Sequence, residues 1–336
     1  MERKSISVLS VLVLAIVGLS LISVPVAASG VGSWKTTSGY PTTAYAESCV
    51  VSGGYVYCVG GIAPSNLNNK CLLTSAVYFA PVHASGVGAW KFTTCYPTLV
   101  EYPSCVANGG YIFCVGGLNG GAVTDAVYFA PLSGTGVGTW IATSHYPANV
   151  YGQSCVVSGG YITCVAGATE SVYLDAVYSA PLSSTGVGAW TESTNNYPLS
   201  VNVLSCVVSA GDIFCVGGVN DGSVTNAVYF ASLSAGAVGA WSSTTIYPIT
   251  NGEGYESCIA YVGVIYCVGG YNGVDFEINA VYFAPLSGTG VGTWIATTNY
   301  PARVDAQSCV LSAHTIFCVG GLTVSGPTSA VYFASV

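Results

Sequence analysis

Apolar residues in this chain come in short runs that are cut by glycine pairs and prolines. In SCVVSGGYVYCVGG (48–61), two β-branched and aromatic runs flank Gly53-Gly54, the pattern of a tight hairpin. AVYFAP (76–81) reads as a third strand closed by its proline, and the SGVG turn leads into a fourth, GAWKFTT (88–94), which carries a tryptophan. The same order recurs six times, with cysteine pairs beginning at Cys49, Cys105, Cys155, Cys206, Cys258 and Cys309. Trp34, Trp90, Trp140, Trp190, Trp241 and Trp294 keep the beat, at spacings of 56, 50, 50, 51 and 53.

A period near 50 built from strand-like segments predicts propeller blades. Four antiparallel strands in each of six repeats predict an all-β, six-bladed β-propeller, a closed ring that leaves no long sheet edge exposed. The ends agree with closure. The last repeat stops at its third strand, AVYFASV, whereas GSWKTT near the start is a spare fourth strand. Residues 31–37 are therefore expected to complete the blade built from 308–336.

The strand ending in two glycines, followed by a tyrosine and then a tryptophan, resembles the kelch repeat along the whole of 29–336. The glycine pairs are Gly60-Gly61, Gly116-Gly117, Gly217-Gly218, Gly269-Gly270 and Gly320-Gly321, with Ala166-Gly167 in the third repeat. The long link between Tyr and Trp, as in AVYFAPLSGTGVGTW, is similar to that of secreted microbial kelch-like propellers. The resemblance implies a propeller of six or seven blades. One departure is plain: the arginine and histidine often found before the first strand in that family are replaced here by stretches such as PTTAYAES and PANVYGQS.

Arg3 and Lys4 precede an apolar run from Val8 to Val24, and Val26-Ala27-Ala28 supplies small residues for cleavage. Residues 1–28 thus read as a secretory signal peptide cut after Ala28, with an uncleaved anchor as the alternative because the run is long enough to span a bilayer, and 29–336 as one domain without linker or composition break. That domain carries four basic residues, Lys35, Lys70, Lys91 and Arg303, against thirteen acidic ones. Nucleic acid is not expected as a partner, because phosphate binding needs clustered cations. With so few charges, the surface is made mostly of Ser, Thr, Asn, Gly and Tyr, a composition suited to an acidic, extracellular setting.

Fourteen cysteines in a chain read as secreted imply disulfides. With a two-residue turn at Gly53-Gly54, Cys49 and Cys58 face each other at a non-hydrogen-bonded site, where side chains approach most closely. The same register predicts bridges Cys105–Cys114, Cys155–Cys164, Cys206–Cys215, Cys258–Cys267 and Cys309–Cys318. Cys71 and Cys95 fall outside the pattern, at adjoining ends of a hairpin, and are expected to form a seventh bridge. No CxxC occurs, the cysteines are evenly spread, and His83, His145 and His314 fall on dissimilar loops, so no metal site or cofactor is expected.

The turns within hairpins are nearly uniform, whereas the loops after the glycine pairs and after each tryptophan vary. Variable loops on a rigid scaffold are where function resides. They hold Glu47, Glu101, Asp125, Glu170, Asp175, Asp221, Glu253, Glu256, Asp275, Glu277 and Asp305. They also hold the irregular aromatics Tyr45, Tyr102, Tyr151, Tyr173, Tyr255, Tyr271 and Phe276. Rings cover the apolar faces of sugars while carboxylates accept hydroxyl hydrogens. The candidate ligand-binding set is these six tyrosines with Glu101, Glu253, Glu256, Asp275 and Glu277.

Three function classes follow. The first is a secreted or cell-surface, non-catalytic module that binds a glycan or protein through this face. The second is a self-assembling subunit of a surface layer or filament, favoured by low charge. The third is a carbohydrate-active enzyme using a pair such as Glu253 with Glu256, or Asp275 with Glu277. Nothing in the spacing of those pairs marks them as catalytic, and the binding module is the reading preferred.

Overall fold

The computed structural model describes residues 29–63, 75–274 and 276–336. They form six antiparallel blades in a ring, with no α-helix among the described residues. In blade one the strands are Ser48–Ser52, Tyr55–Val59 and Val77–His83, followed by an outer strand in two pieces, Gly86–Val87 and Lys91–Phe92. Blade six closes as expected: Lys35 and Thr36 pair with Phe333 and Tyr332.

The broken outer strand differs from the sequence expectation of a continuous strand carrying the tryptophan. Pro81 has no N–H to give an outer neighbour, but it does not cause the break, because blades four and six fold the same way with Ser232 and Ser335 in its place. Instead Gly88 N donates to Pro81 O at 2.8 Å, and the chain bulges through Gly88 to Trp90 before pairing resumes at Phe79 with Lys91. A Cβ on Gly88 would lie 2.7 Å from the Pro81 ring, so glycine is required. The bulge frees the indole to join blades. Trp90 Nε1 donates to Ser38 O at 3.0 Å, and the ring packs edge-on against Tyr40 of the Tyr-Pro link at 5.0 Å. Each tryptophan repeats this pair of contacts, and Trp34 closes the circle with Thr298 O and Tyr300.

Apolar layers lie between blades rather than within them. One layer joins Val50, Tyr57 and Phe79 of blade one to Ile112, Cys114 and Ala130 of blade two. Nearer the axis, the serine of each Ser-Cys pair stitches neighbours. Cys105 N donates to Ser48 Oγ at 3.0 Å, and the series runs round to Cys49 N on Ser308 Oγ at 2.9 Å.

Six disulfides span the first two strands of the blades, at the predicted positions. Blades one to three hold Cys49–Cys58, Cys105–Cys114 and Cys155–Cys164. Blades four to six hold Cys206–Cys215, Cys258–Cys267 and Cys309–Cys318. In every blade the two cysteines are directly opposite in the strand register, as Cys155 is to Cys164, Cys206 to Cys215, Cys258 to Cys267 and Cys309 to Cys318. The Cys49 and Cys58 Cα atoms are 4.0 Å apart, as a non-hydrogen-bonded pair requires. The expected Cys71–Cys95 bridge involves Cys71, which lies outside the described residues. Cystines persist in oxidising compartments, which fits an extracellular location.

Candidate functional site

Counting back from the first cysteine of each blade gives four registers that build one end of the channel. The third residue back is Ala46, Tyr102, Gly152, Val203, Tyr255 or Ala306. All six have left-handed backbone, with φ of 60°, 52°, 64°, 49°, 61° and 49°. Five of them are not glycine, and such conformations cost of order 1–3 kcal/mol each unless the surroundings impose them.

What imposes them is a closed cycle of backbone hydrogen bonds. Tyr102 N donates to Ala46 O at 3.0 Å, Gly152 N to Tyr102 O at 3.5 Å, and Val203 N to Gly152 O at 2.6 Å. Tyr255 N then donates to Val203 O, Ala306 N to Tyr255 O, and Ala46 N to Ala306 O, at 3.0, 3.0 and 2.9 Å. Each blade thus gives one amide and one carbonyl to a hexagon around the axis. The hexagon and the next residue of each blade line a cavity of about 130 Å³.

The fourth residue back is Tyr45, Glu101, Tyr151, Asn202, Gly254 or Asp305. Each bridges to the chain just after the glycine pair of its own blade, as Tyr45 does to Ile62 and Asp305 to Leu322. These bridges hold a rim around the hexagon. Tyr102 and Tyr255 stand inside it, with ring centroids 6.2 Å apart, and Tyr151 lies 6.3 Å from Tyr102. Tyr173 bridges to Ala168, and Tyr271 to both Gly254 and Glu277. All six predicted tyrosines, with Glu101 and Glu277, therefore meet in one aromatic and acidic cup.

Burial, and then the neighbouring Glu277, push the Asp305 carboxyl up to about 7. Burial likewise raises Glu101. Burial and then Asp305 push the Tyr255 phenol up to about 12, and burial and then Tyr255 raise Tyr102 further. The phenols thus stay protonated and offer O–H donors. Lys35 and Lys91 lie far out on outer strands, and Arg303 in the link before blade six.

Two predicted residues lie below the cup. Glu253, five residues before its cysteine, is fully buried where four other blades have valine (Val100, Val150, Val201 and Val304). Glu256 is buried two residues before its cysteine. Asp275 lies outside the described residues. Sequence reasoning passed over Asn202 and Asp305 as site residues, although both share the register of Tyr45 and Tyr151. Aligning the repeats on their first cysteine would have picked them out.

The fold is similar to that of YjhT. A solved structure titled "Structure of YjhT" superposes with a TM-score of 0.70, covering 87% of this chain and 94% of that one at 14% identity. At that identity the likeness establishes the propeller architecture alone. No protein-family model matches the sequence. No curated protein matches it either.

Proposed function

We propose that this protein is a secreted, kelch-like propeller that serves as a non-catalytic binding module, taking a glycan or a glycan-bearing protein in the cup above the hexagon. The observation that carries this reading is the convergence of Tyr45, Tyr102, Tyr151, Tyr173, Tyr255 and Tyr271 from four different blades onto one rim. Three acidic side chains, Glu101, Glu277 and Asp305, stand among them. Flat rings with phenolic donors and carboxyl acceptors match the alternating apolar faces and hydroxyl edges of a pyranose. A six-strut hexagon with strained backbone gives these side chains a rigid floor, which lowers the ordering cost of binding. Glu253 and Glu256 are too buried to meet a glycosidic bond in the cup, which disfavours that pair as hydrolytic machinery.

A second reading, self-assembly, is favoured by Ile141 and Ile295. They are 49% and 48% exposed on the outer strands of blades two and five, at opposite sides of the ring. Electron microscopy of the purified protein at acidic and neutral pH, run beside a glycan and surface-protein screen, separates the two. Discrete single rings with a screen hit are expected; regular sheets or fibres without a hit would overturn the binding reading.

A further inference from the structure

The residue two before the first cysteine is Glu47, Pro103, Gln153, Leu204, Glu256 or Gln307 in blades one to six. In blades three and six it is a buried glutamine that reaches back to the preceding blade. Gln153 Nε2 donates to Val115 O at 2.7 Å, and Gln307 Nε2 to Val268 O at 2.6 Å. The accepting carbonyl belongs in each case to the valine just before a glycine pair, so these amides tie one blade to the next beneath the hexagon.

Glu47 and Glu256 point to the same place. A Cβ built on the first glycine of the preceding blade locates the side-chain tip. It would lie 3.0 Å from Gln153 Nε2 at Gly116 and 2.8 Å from Gln307 Nε2 at Gly269. The corresponding distances are 2.6 Å from Glu47 Oε1 at Gly320 and 2.7 Å from Glu256 Oε1 at Gly217. The carbonyls in the accepting position are then those of Val319 and Val216. A carboxylate has only acceptors to offer a carbonyl, and the donors that face these two carboxyls are backbone amides alone, of Glu47 itself and of Glu256 and Ser205.

We propose that Glu47 and Glu256 each keep a proton in the folded protein and donate it to Val319 O and Val216 O, so that the inner ring is locked in acid and loosens in alkali. The groups that face them support this. Glu47 meets the phenols of Tyr40 and Tyr300. Glu256 meets those of Tyr197 and Tyr247, and the carboxyl of Glu253. None of these partners is a cation that would hold a carboxylate charged. Burial pushes the Glu47 carboxyl up to about 8 against the pull of its own backbone amide, and burial drives Glu256 the same way against the amides of Glu256 and Ser205. Glu253, also raised by burial and then by Glu256, adds a third carboxyl that resists ionisation beside it.

The sign follows from proton linkage. A carboxyl protonated in the fold and ionised in the unfolded chain contributes stability that is complete below its ordinary value of 4.5 and is lost as pH rises to about 8. The test is thermal unfolding at about pH 5 and about pH 9 of the wild type, of Glu47→Gln/Glu256→Gln, and of Gln153→Glu. The wild type is expected to melt at least about 5 °C lower at the higher pH. The double glutamine variant should match it in acid and lose clearly less in alkali. Gln153→Glu installs the same carboxyl in a third blade, and should steepen the loss while leaving the acid melting point in place. A double variant whose melting point falls as steeply as the wild type would overturn the proposal. So would a Gln153→Glu variant destabilised equally at both pH values, because that is a packing cost without a proton. Gln153→Glu decides the matter even if the double variant does not fold.

Discussion

Tyr102 and Tyr255 come from blades on opposite sides of the ring, yet their aromatic centroids are 6.2 Å apart. They meet because each occupies a left-handed position in the hexagon, which brings its blade close to the axis. The pair therefore forms the centre of the cup, with Tyr151 and the carboxyl-bearing rim around it. A ligand taken up in the cup is expected to rest on these two rings.

Truncating them is the first consequence. Tyr102→Ala and Tyr255→Ala should each weaken binding of a screened ligand by about tenfold or more, the scale of an interface hot spot. Light scattering and circular dichroism should be unchanged, because the hexagon uses backbone atoms alone. Calorimetric titration checks this, and equal affinities in the variants would remove these rings from the site.

The disulfides make a second consequence. Each closes a short loop and contributes roughly 2–3 kcal/mol in the chain-entropy picture. Replacing Cys105 and Cys114 together by alanine should lower the unfolding free energy by about that amount, read from denaturant midpoints at unchanged slope. Peptide mapping without reductant should recover the six cystines that join residues nine apart.

Serine stitches set a third. Ser104 Oγ accepts the amide of Cys155 at 2.9 Å, across the junction of blades two and three. Ser104→Ala leaves a buried N–H without a partner, at a cost of about 1–3 kcal/mol. Hydrogen exchange should quicken at Cys155 and its strand neighbours. Exchange unchanged at that strand would show that the stitch contributes nothing.

Asp305 gives a fourth, in the cup. Its carboxyl rises from an ordinary value of 3.8 to about 7, through burial and then Glu277. Its contribution to stability is thus complete below 3.8 and is lost as pH climbs through 7. Asp305→Asn should flatten this part of the pH profile of the melting temperature. An unaltered profile would mean that the carboxyl ionises as freely in the fold as outside it.

The blade count, the closure of blade six by residues near the start and the six cystine registers were all legible in the sequence. Each is written into a single repeat, by Gly53-Gly54 and its five counterparts, by the terminal half-blades, and by cysteines nine apart. What was not legible links one repeat to the next. The amide of Tyr102 meets Ala46 across 56 residues, and Cys105 meets Ser48 across 57. No local pattern announces a left-handed alanine, tyrosine or valine, because the conformation is imposed by the neighbouring blade. The broken outer strand escaped for a related reason. The third strand was expected to stop at Pro81 but runs through it to His83, and the bulge at Trp90 depends on how Gly88 folds back over the proline. The candidate tyrosines did converge in space. Glu253 did not join them, because its register belongs to the core.

The most direct test of the binding account is a crystal structure of the protein with the tightest glycan from the screen. The account predicts density for a sugar ring lying on Tyr102 and Tyr255, with hydroxyls toward Asp305 and Glu101. Density for the glycan on an outer strand or between molecules, with the cup holding only water, would contradict it.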